Sequence, residues 1–411
     1  MRKIKNILIL AGGDSTRFWP LTDKKNTSFL GEKLIDHQVN FYKKWVENIF
    51  VVSDTNQSIY SRSAKYIIQD KKFKGQAGAI LSAKNLIKGE VLIVNANDVF
   101  EPGILSKLIS SLSKKPNFVS LVKRVDRYFP GGYIKQTNKK KFVIVEKPTP
   151  NQIPSDLVKL VVDYIVDFNL FIGILEKVNN KNDQWYEIGL NELISQSDNN
   201  ELVIYDGPWY SIKYSWQILP MMNFFLKQID GLQIHKTAKV AKTAIIQGNV
   251  YLGKNVRVGD YAKIVGPCYV DEGTLIGDYS LVRESHVGKN CLIGSQCELT
   301  RSYLANDVYL HRNYVGDSVL GRGVLIGAGT VLANFRFDKK NIFVQMGETK
   351  VDTNLPKLGT VIGEKSKLGI NCSVFPGILI GKNTFVGPGS IIDQNVNENQ
   401  FIFKGKVIKN K

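Results

Sequence analysis

Two stretches of this 411-residue chain collect residue types that can do chemistry. The first is Leu10-Ala11-Gly12-Gly13-Asp14-Ser15-Thr16-Arg17, followed by Pro20-Leu21-Thr22, directly behind the apolar run Ile7–Ala11. Glycines at the end of a strand let backbone N–H groups approach phosphate oxygens, and the Arg17 guanidinium adds a fork of charged donors. A Gly-Gly turn alone is weak evidence for such a site. An arginine four residues on, with Pro-Leu-Thr behind it, makes it much stronger. The second stretch is His311-Arg312-Asn313-Tyr314-Val315-Gly316-Asp317, which holds one of only four histidines. Of the others, His37 and His235 read as structural or exposed, and His286 is expected at a corner. Between the two stretches Asp98 follows the buried run Val91–Val94. A carboxylate there is as readily a strand-end cap as a ligand.

The elements that must position these residues fall into two unlike parts. Up to about residue 230, strand-like runs (Ile7–Ala11, Ile49–Val52, Val91–Val94, Phe118–Val122) alternate with stretches suited to amphipathic helices, such as Leu34–Val46 and Ile104–Leu112. That alternation predicts an α/β domain, Rossmann-like and doubly wound on a mostly parallel sheet, with ligands at the carboxyl ends of the strands. After residue 230 the period changes. Leu252, Val258, Ile264, Val270, Ile276 and Val282 recur every six residues; Val287, Ile293 and Leu299 follow after a one-residue slip. The same spacing returns from Ile362 through Leu368, Val374, Ile380 and Val386 to Ile392. Of the 35 glycines, 12 lie in 1–230 and 23 in 231–411. This is the hexapeptide pattern of an all-β left-handed parallel β-helix, whose coils are stable only as a stack. The predicted domains are therefore 1–230 and 231–411, the latter with a short tail. Cys268, Cys291, Cys297 and Cys372 each fall four residues after an inward aliphatic. They read as reduced core fillers, without the close pairing a zinc site needs.

Composition bounds the rest. With 43% hydrophobic and 22% charged residues the chain is neither disordered nor a fibrous or disulfide-rich protein. No apolar run approaches the roughly 20 residues that span a bilayer, and Ile7–Leu10 is too short for a signal segment. A soluble, cytoplasmic protein without a membrane partner is expected. The net charge is +18, but the basic residues are scattered. Short runs such as Lys139–Lys141 are not interleaved with aromatics, which disfavours nucleic acid as the main partner. Local positive potential is enough for small anionic ligands.

From Gly12 onward the N-terminal part resembles the sugar-1-phosphate nucleotidylyltransferases. Gln69 and Gly75-Gln76-Ala77-Gly78-Ala79 look like that family's base-reading segment. Asp98 matches its Mg²⁺-binding aspartate, and Gly132 with Glu146-Lys147-Pro148 its sugar and phosphate contacts. The resemblance implies attack of a sugar-1-phosphate oxygen on the α-phosphate of a nucleoside triphosphate, UTP or dTTP, with release of pyrophosphate. Such chemistry is mostly positioning and charge neutralisation. Arg17 would then meet the departing phosphates, Asp98 Mg²⁺ and Lys147 the sugar phosphate. The chain departs from the family in several places. Ser15 replaces a glycine, Asn26-Thr27 stands where a Pro-Lys pair belongs (with Lys24 and Lys25 nearby), and Ser211 sits where a second carboxylate is expected. The Asn-Ala-Gly sugar motif is not recognisable around 163–168.

The C-terminal part resembles the acetyltransferase half of the bifunctional N-acetylhexosamine-1-phosphate uridylyltransferases of archaeal type. Gly327-Ala328-Gly329-Thr330, Ala333-Asn334-Phe335-Arg336-Phe337-Asp338, Lys357-Leu358-Gly359 and Gly369-Ile370-Asn371 carry the likeness. It implies that His311 is the general base for acetyl transfer from acetyl-CoA to an amino-sugar-1-phosphate; a neutral imidazole, with a free pKa of ~6.5, suits that role. Tyr314 and Asn334 would position the acceptor, while Lys340 and Lys357 would meet phosphates. Phe343 stands for one family lysine and Leu355-Pro356 for an arginine pair. β-Helices of this kind pack as homotrimers, so acetyl-CoA sites between chains are expected. Two other readings stay open: a monofunctional nucleotidyltransferase whose β-helix only assembles subunits, and an inactive regulatory or scaffold relative.

Overall fold

A computed structural model describes residues 2–13, 15–54, 63–101, 103–137, 141–178, 184–403 and 406–408. Asp14 of the glycine turn and Lys139 and Lys140 of the basic run lie outside them. The chain packs into two compact units, 1–14 with 34–210 and 15–33 with 211–411.

The first unit is built on a nine-stranded sheet. Ile4–Leu10 lies between Val46–Ser53 and Val91–Asn95, parallel to both, with Leu10 opposite Val52 on one side and Asn95 on the other. Lys65–Ile68 extends the parallel set. On the far side Leu157–Ile165 runs antiparallel to Val91–Asn95 and to Phe118–Arg124. Because side chains alternate across a strand, Leu8 and Leu10 enter one core while Ile7 and Ile9 enter the other. The helices Gly75–Ser82, Phe168–Val178 and Trp185–Ser195 close the first face; Leu34–Tyr42 and Gly103–Ser111 close the second. Burial on both faces is why these strands read as unbroken apolar runs. The helix expected to reach Val46 stops at Tyr42, and Val46 opens the next strand.

The second unit contains a prism of three sheets with 8, 10 and 8 strands. Val250 pairs with Cys268, 18 residues on; Tyr269 pairs with His286, 17 on; and Tyr303 pairs with Val319, 16 on. Val319 next pairs with Val361, and the interval holds the insertion, which folds into the hairpin Phe343–Met346 with Thr349–Asp352. The hexad aliphatics stack inside as one core, with all four cysteines among them as free thiols. Burial pushes the Cys268 and Cys291 thiols up to about 12. Glycine density places a boundary near 230, whereas packing assigns 15–33 and 211–230 to the β-helix unit. Phe29 explains why: its ring stacks on Phe225 at 4.8 Å and lies 5.8 Å from Tyr303 on the prism face. His286, expected at a corner, is instead a buried strand residue stacked between Tyr269 and Tyr303, with centroids 5.0 and 4.8 Å away. Among the described residues no helix is long and apolar enough to cross a membrane.

Candidate active sites

The carboxyl ends of Ile4–Leu10, Val46–Ser53 and Val91–Asn95 meet at one sheet edge. There the Ala11 N–H donates to the Val52 carbonyl at 2.8 Å and the Ala96 N–H to the Leu10 carbonyl at 3.0 Å. Gly12 leaves this edge, and a Cβ on it would come within 2.6 Å of Gln69 Oε1; Gly13 follows, exposed, at φ +107°. Gln69 Nε2 donates to the carbonyls of Phe73 at 3.0 Å and Gly75 at 3.2 Å. So Gly12, Gln69 and Gly75 come together at this edge. Asp98 opens the short strand Asp98–Phe100, which pairs with Trp209–Ser211. Its carboxylate is buried beside the Tyr42 phenol, whose pKa it helps burial to raise. Among the described residues no cluster of three or more His, Cys, Asp or Glu could hold a metal by itself. A single buried carboxylate is nevertheless compatible with Mg²⁺ arriving on a triphosphate, because Mg²⁺ is commonly held by one or two carboxylates plus substrate phosphates.

Arg17 lies exposed on the 3-10 turn Thr16–Phe18. Sequence reasoning noted Lys24 only as nearby. The structure makes it Arg17's electrostatic neighbour, and its pKa is lowered by burial and then by Arg17.

Gly132, Glu146 and Lys147 also converge. Gly132 pairs with Glu146 across the antiparallel strands Gly132–Gln136 and Phe142–Glu146. A Cβ on Gly132 would sit 3.2 Å from Glu146 Oε2, so the missing side chain leaves room for that carboxylate. Lys147 turns left-handed at φ +46° and keeps Nζ 3.5 Å from Glu146 Oε1. Beneath them lies a buried polar group that sequence reasoning missed. Lys159 Nζ is 2.6 Å from Asp163 Oδ2, and Asp163 also accepts from Ser120 Oγ at 2.5 Å and Tyr186 Oη at 2.7 Å. Burial raises the Glu187 carboxyl from 4.5 to about 7; Lys159 opposes the shift, and Glu146 and Asp163 add to it. A signal was present in the strand Leu157–Ile165. Lysine and aspartate four residues apart share one face of an otherwise apolar strand, where charges survive only as a pair.

In the β-helix, His311 stands exposed at a corner. Asn313 Oδ1 accepts its backbone N–H at 2.6 Å, while Asn313 Nδ2 donates to the carbonyls of Gly327 and Thr330, tying the corner to the next coil. The His311 ring makes no side-chain hydrogen bond among the described residues, which leaves both nitrogens open to a substrate. Tyr314 Oη donates to Asn334 Oδ1 at 3.4 Å. Asn334 Nδ2 donates to Asp317 Oδ2 at 2.5 Å, and Arg301 grips Asp317 with two bonds of 2.8 Å. Asp317 therefore fixes which way the Asn334 amide faces. The Leu358 N–H closes on the Asn334 carbonyl, and Lys357 pairs with Phe335, holding Nζ 5.7 Å over its ring. Lys340 is exposed further along the insertion, where its N–H binds Asp338.

Comparisons with known proteins match both halves. A MobA-like NTP transferase domain covers residues 7–150, and a GMPPB C-terminal domain covers 229–351. A bifunctional protein GlmU from Methanococcus maripaludis is 33% identical over 97% of both chains. The chain belongs to the bifunctional GlmU family. A bifunctional sugar-1-phosphate nucleotidylyltransferase/acetyltransferase from Sulfurisphaera tokodaii is 30% identical, over 96% of this chain and 98% of its own. A solved UDP-glucose pyrophosphorylase complexed with UDP-glucose aligns with 55% of this chain and 99% of its own, at 20% identity and a TM-score of 0.47. Membership in the GlmU family carries the enzyme class: a nucleotidyltransferase and an acetyltransferase joined in one chain.

Proposed function

We propose that the protein acetylates an amino-sugar 1-phosphate with acetyl-CoA and couples a hexosamine 1-phosphate to UTP or dTTP, in the cytoplasm, as a homotrimer with acetyl-CoA sites between chains. What most supports the reading is the Tyr314–Asn334–Asp317–Arg301 chain on the coil that presents an unencumbered His311 ring. In acetyl transfer the sugar amine attacks the thioester carbonyl while His311 takes the amine proton. The tetrahedral intermediate then collapses, the C–S bond breaks, and CoA leaves as a thiol after taking a proton. Tyr314 and the oriented Asn334 amide position the acceptor, and Lys340 and Lys357 meet phosphates. General-base help of this kind is worth about 10²–10⁴-fold.

In nucleotidyl transfer the sugar-phosphate oxygen forms a bond to the α-phosphorus as the bond to pyrophosphate breaks. Gly12, Gly13 and Gly75 bring backbone close to the nucleotide, Gln69 reads the base, and Arg17 with Lys24 takes the departing phosphates. Glu146 and Lys147 orient the sugar and its phosphate beside Gly132. Asp98 would hold Mg²⁺, which supplies charge neutralisation on the phosphates. The test is purified protein with glucosamine or galactosamine 1-phosphate, acetyl-CoA, UTP or dTTP and Mg²⁺. Both thiol and pyrophosphate should appear, and His311→Ala should abolish only the thiol. Absence of both products from the wild-type protein rejects the reading.

A further inference from the structure

A cavity of about 350 Å³ lies wholly within the β-helix unit, between the segment 18–33 and the prism face. None of its lining residues belongs to either catalytic set. Its size is at the lower end for small-molecule sites. His286 lines it, and the side chain is 3% exposed with neither ring nitrogen completing a hydrogen bond. Burial pulls this imidazole down to about 4, so it is neutral. A neutral imidazole offers one donor and one acceptor, and leaving both unmet in the interior is costly. Every other buried ring in the ladder from Tyr269 to Tyr303 has a phenol that finds a partner: Tyr303 donates to the Ser28 carbonyl at 2.9 Å, and the Tyr269 hydroxyl bonds Asp271.

Charges at the cavity wall are unevenly engaged. The carboxylates turn to local donors: Asp23 to Asn26, Asp271 to the Glu272 N–H and Glu364 to the Thr22 hydroxyl. Of the lining cations Lys33, Lys289 and Arg322, the last two lean on Glu272 and Asp307, which are not part of the lining. Arg322 uses only Nε at 2.9 Å, which leaves the rest of its fork available. We infer that this cavity is a second ligand site, one that takes a small phosphate monoester of a polyol, with the phosphate on Arg322 and Lys289 and a hydroxyl on His286. A polyol carries more than one hydroxyl, so one can accept from the protonated ring nitrogen and another donate to the bare one, which is what the imidazole lacks. Both ring nitrogens are closed from solvent as the structure stands. The ligand must therefore ease the roof outward, and that roof is continuous with the turn bearing Arg17 and Lys24. Occupancy would be felt at the triphosphate-binding cations.

Calorimetric titration of the full-length protein with glycerol 3-phosphate, inorganic phosphate and glycerol tests this. Glycerol 3-phosphate should bind once per chain and more tightly than either fragment. Arg322→Gln and His286→Phe should each weaken it by about tenfold or more, while Lys147→Ala, at the proposed sugar-phosphate site, leaves it unchanged. Bound ester should also shift the KM for UTP. If His286→Phe does not fold, the exposed Arg322→Gln carries the test alone. No binding at roughly 1 mM ester, equal affinity for inorganic phosphate, or loss in Lys147→Ala with retention in Arg322→Gln would each overturn the assignment.

Discussion

The buried Glu187 makes a pH dependence that can be calculated. Its carboxyl is raised from 4.5 to about 7, first by burial, against the opposing pull of Lys159. In the unfolded chain the proton leaves near 4.5; in the folded chain it stays until about 7. Between those values the folded state binds more protons, so stability falls as pH rises, and above about 7 the loss is complete. A shift of roughly 2.5 units at 1.36 kcal/mol each amounts to about 3 kcal/mol. Glu187→Gln keeps the shape and hydrogen-bonding reach but cannot ionise. It should match the wild type at about pH 4.5 and exceed it by about 3 kcal/mol at about pH 8. With a urea dependence of 1–3 kcal/mol/M, the midpoint moves by about 1–3 M. Urea unfolding read by tryptophan fluorescence suits the measurement, since Trp185 is in the same helix as Glu187. Equal pH dependence in the two proteins would refute the reasoning, because the carboxylate would then have found water or a cation on ionising.

Asp317→Ala leaves Arg301 and the Asn334 amide without their acceptor; partial exposure of Arg301 limits the stability loss to about 2 kcal/mol. Acetyl transfer should fall about 10²-fold through a misplaced Asn334, with nucleotidyl transfer retained, as parallel thiol and pyrophosphate assays would show. Gly12→Ala drives a methyl against Gln69 Oε1, so steady-state kinetics should show the KM for UTP or dTTP rising about three- to tenfold with the melting temperature little changed. The four buried thiols should stay silent to a thiol reagent in native buffer and react only after unfolding, followed by absorbance; fast native labelling would contradict their place in the prism.

The prism was legible because its period is enforced by packing: each inward aliphatic must sit on the one a coil below, and the sequence repeats that demand every six residues. The glycine turn, Gly132 and Asn334 were legible because backbone approach and amide placement restrict residue type locally. Segment 15–33 was not. Nothing in its composition distinguishes a loop lying over an α/β edge from one lying on a β-helix, and Phe29 settles the matter through contacts with residues almost 200 and 275 positions away. Lys159 and Asp163 were legible as a pair from their spacing within one strand, but the hydroxyls that complete the Asp163 shell come from Ser120 and Tyr186 on other elements, which spacing cannot show.

The slip at Val282–Val287 is one of several. Five-residue steps recur at Leu299–Leu304, Leu310–Val315 and Val315–Leu320, yet every one of these aliphatics is fully buried. The shortened corner explains how. In six-residue steps the left-handed residue comes three places after the aliphatic, as at Asn255, Tyr279 and Gln296; in the five-residue steps it comes two places after, at Glu284, Arg301, Arg312 and Asp317. Moving the turn forward lets the chain drop a residue and still return the next aliphatic to the core, at a backbone cost of about 1–2 kcal/mol for each non-glycine in that region. The six-residue steps carry the same cost, but three of the shortened corners, at Arg301, Arg312 and Asp317, gather around the candidate site. Arg301 and Asp317 are themselves turning residues of successive coils, 16 positions apart, and the tight corner is what lays one guanidinium against the carboxylate that aims Asn334. Arg312 turns the corner that exposes His311. The irregular register around residue 311 is therefore the means by which a uniform stack acquires an outward-facing imidazole and, from the coil that ends at Asn334, a fixed amide.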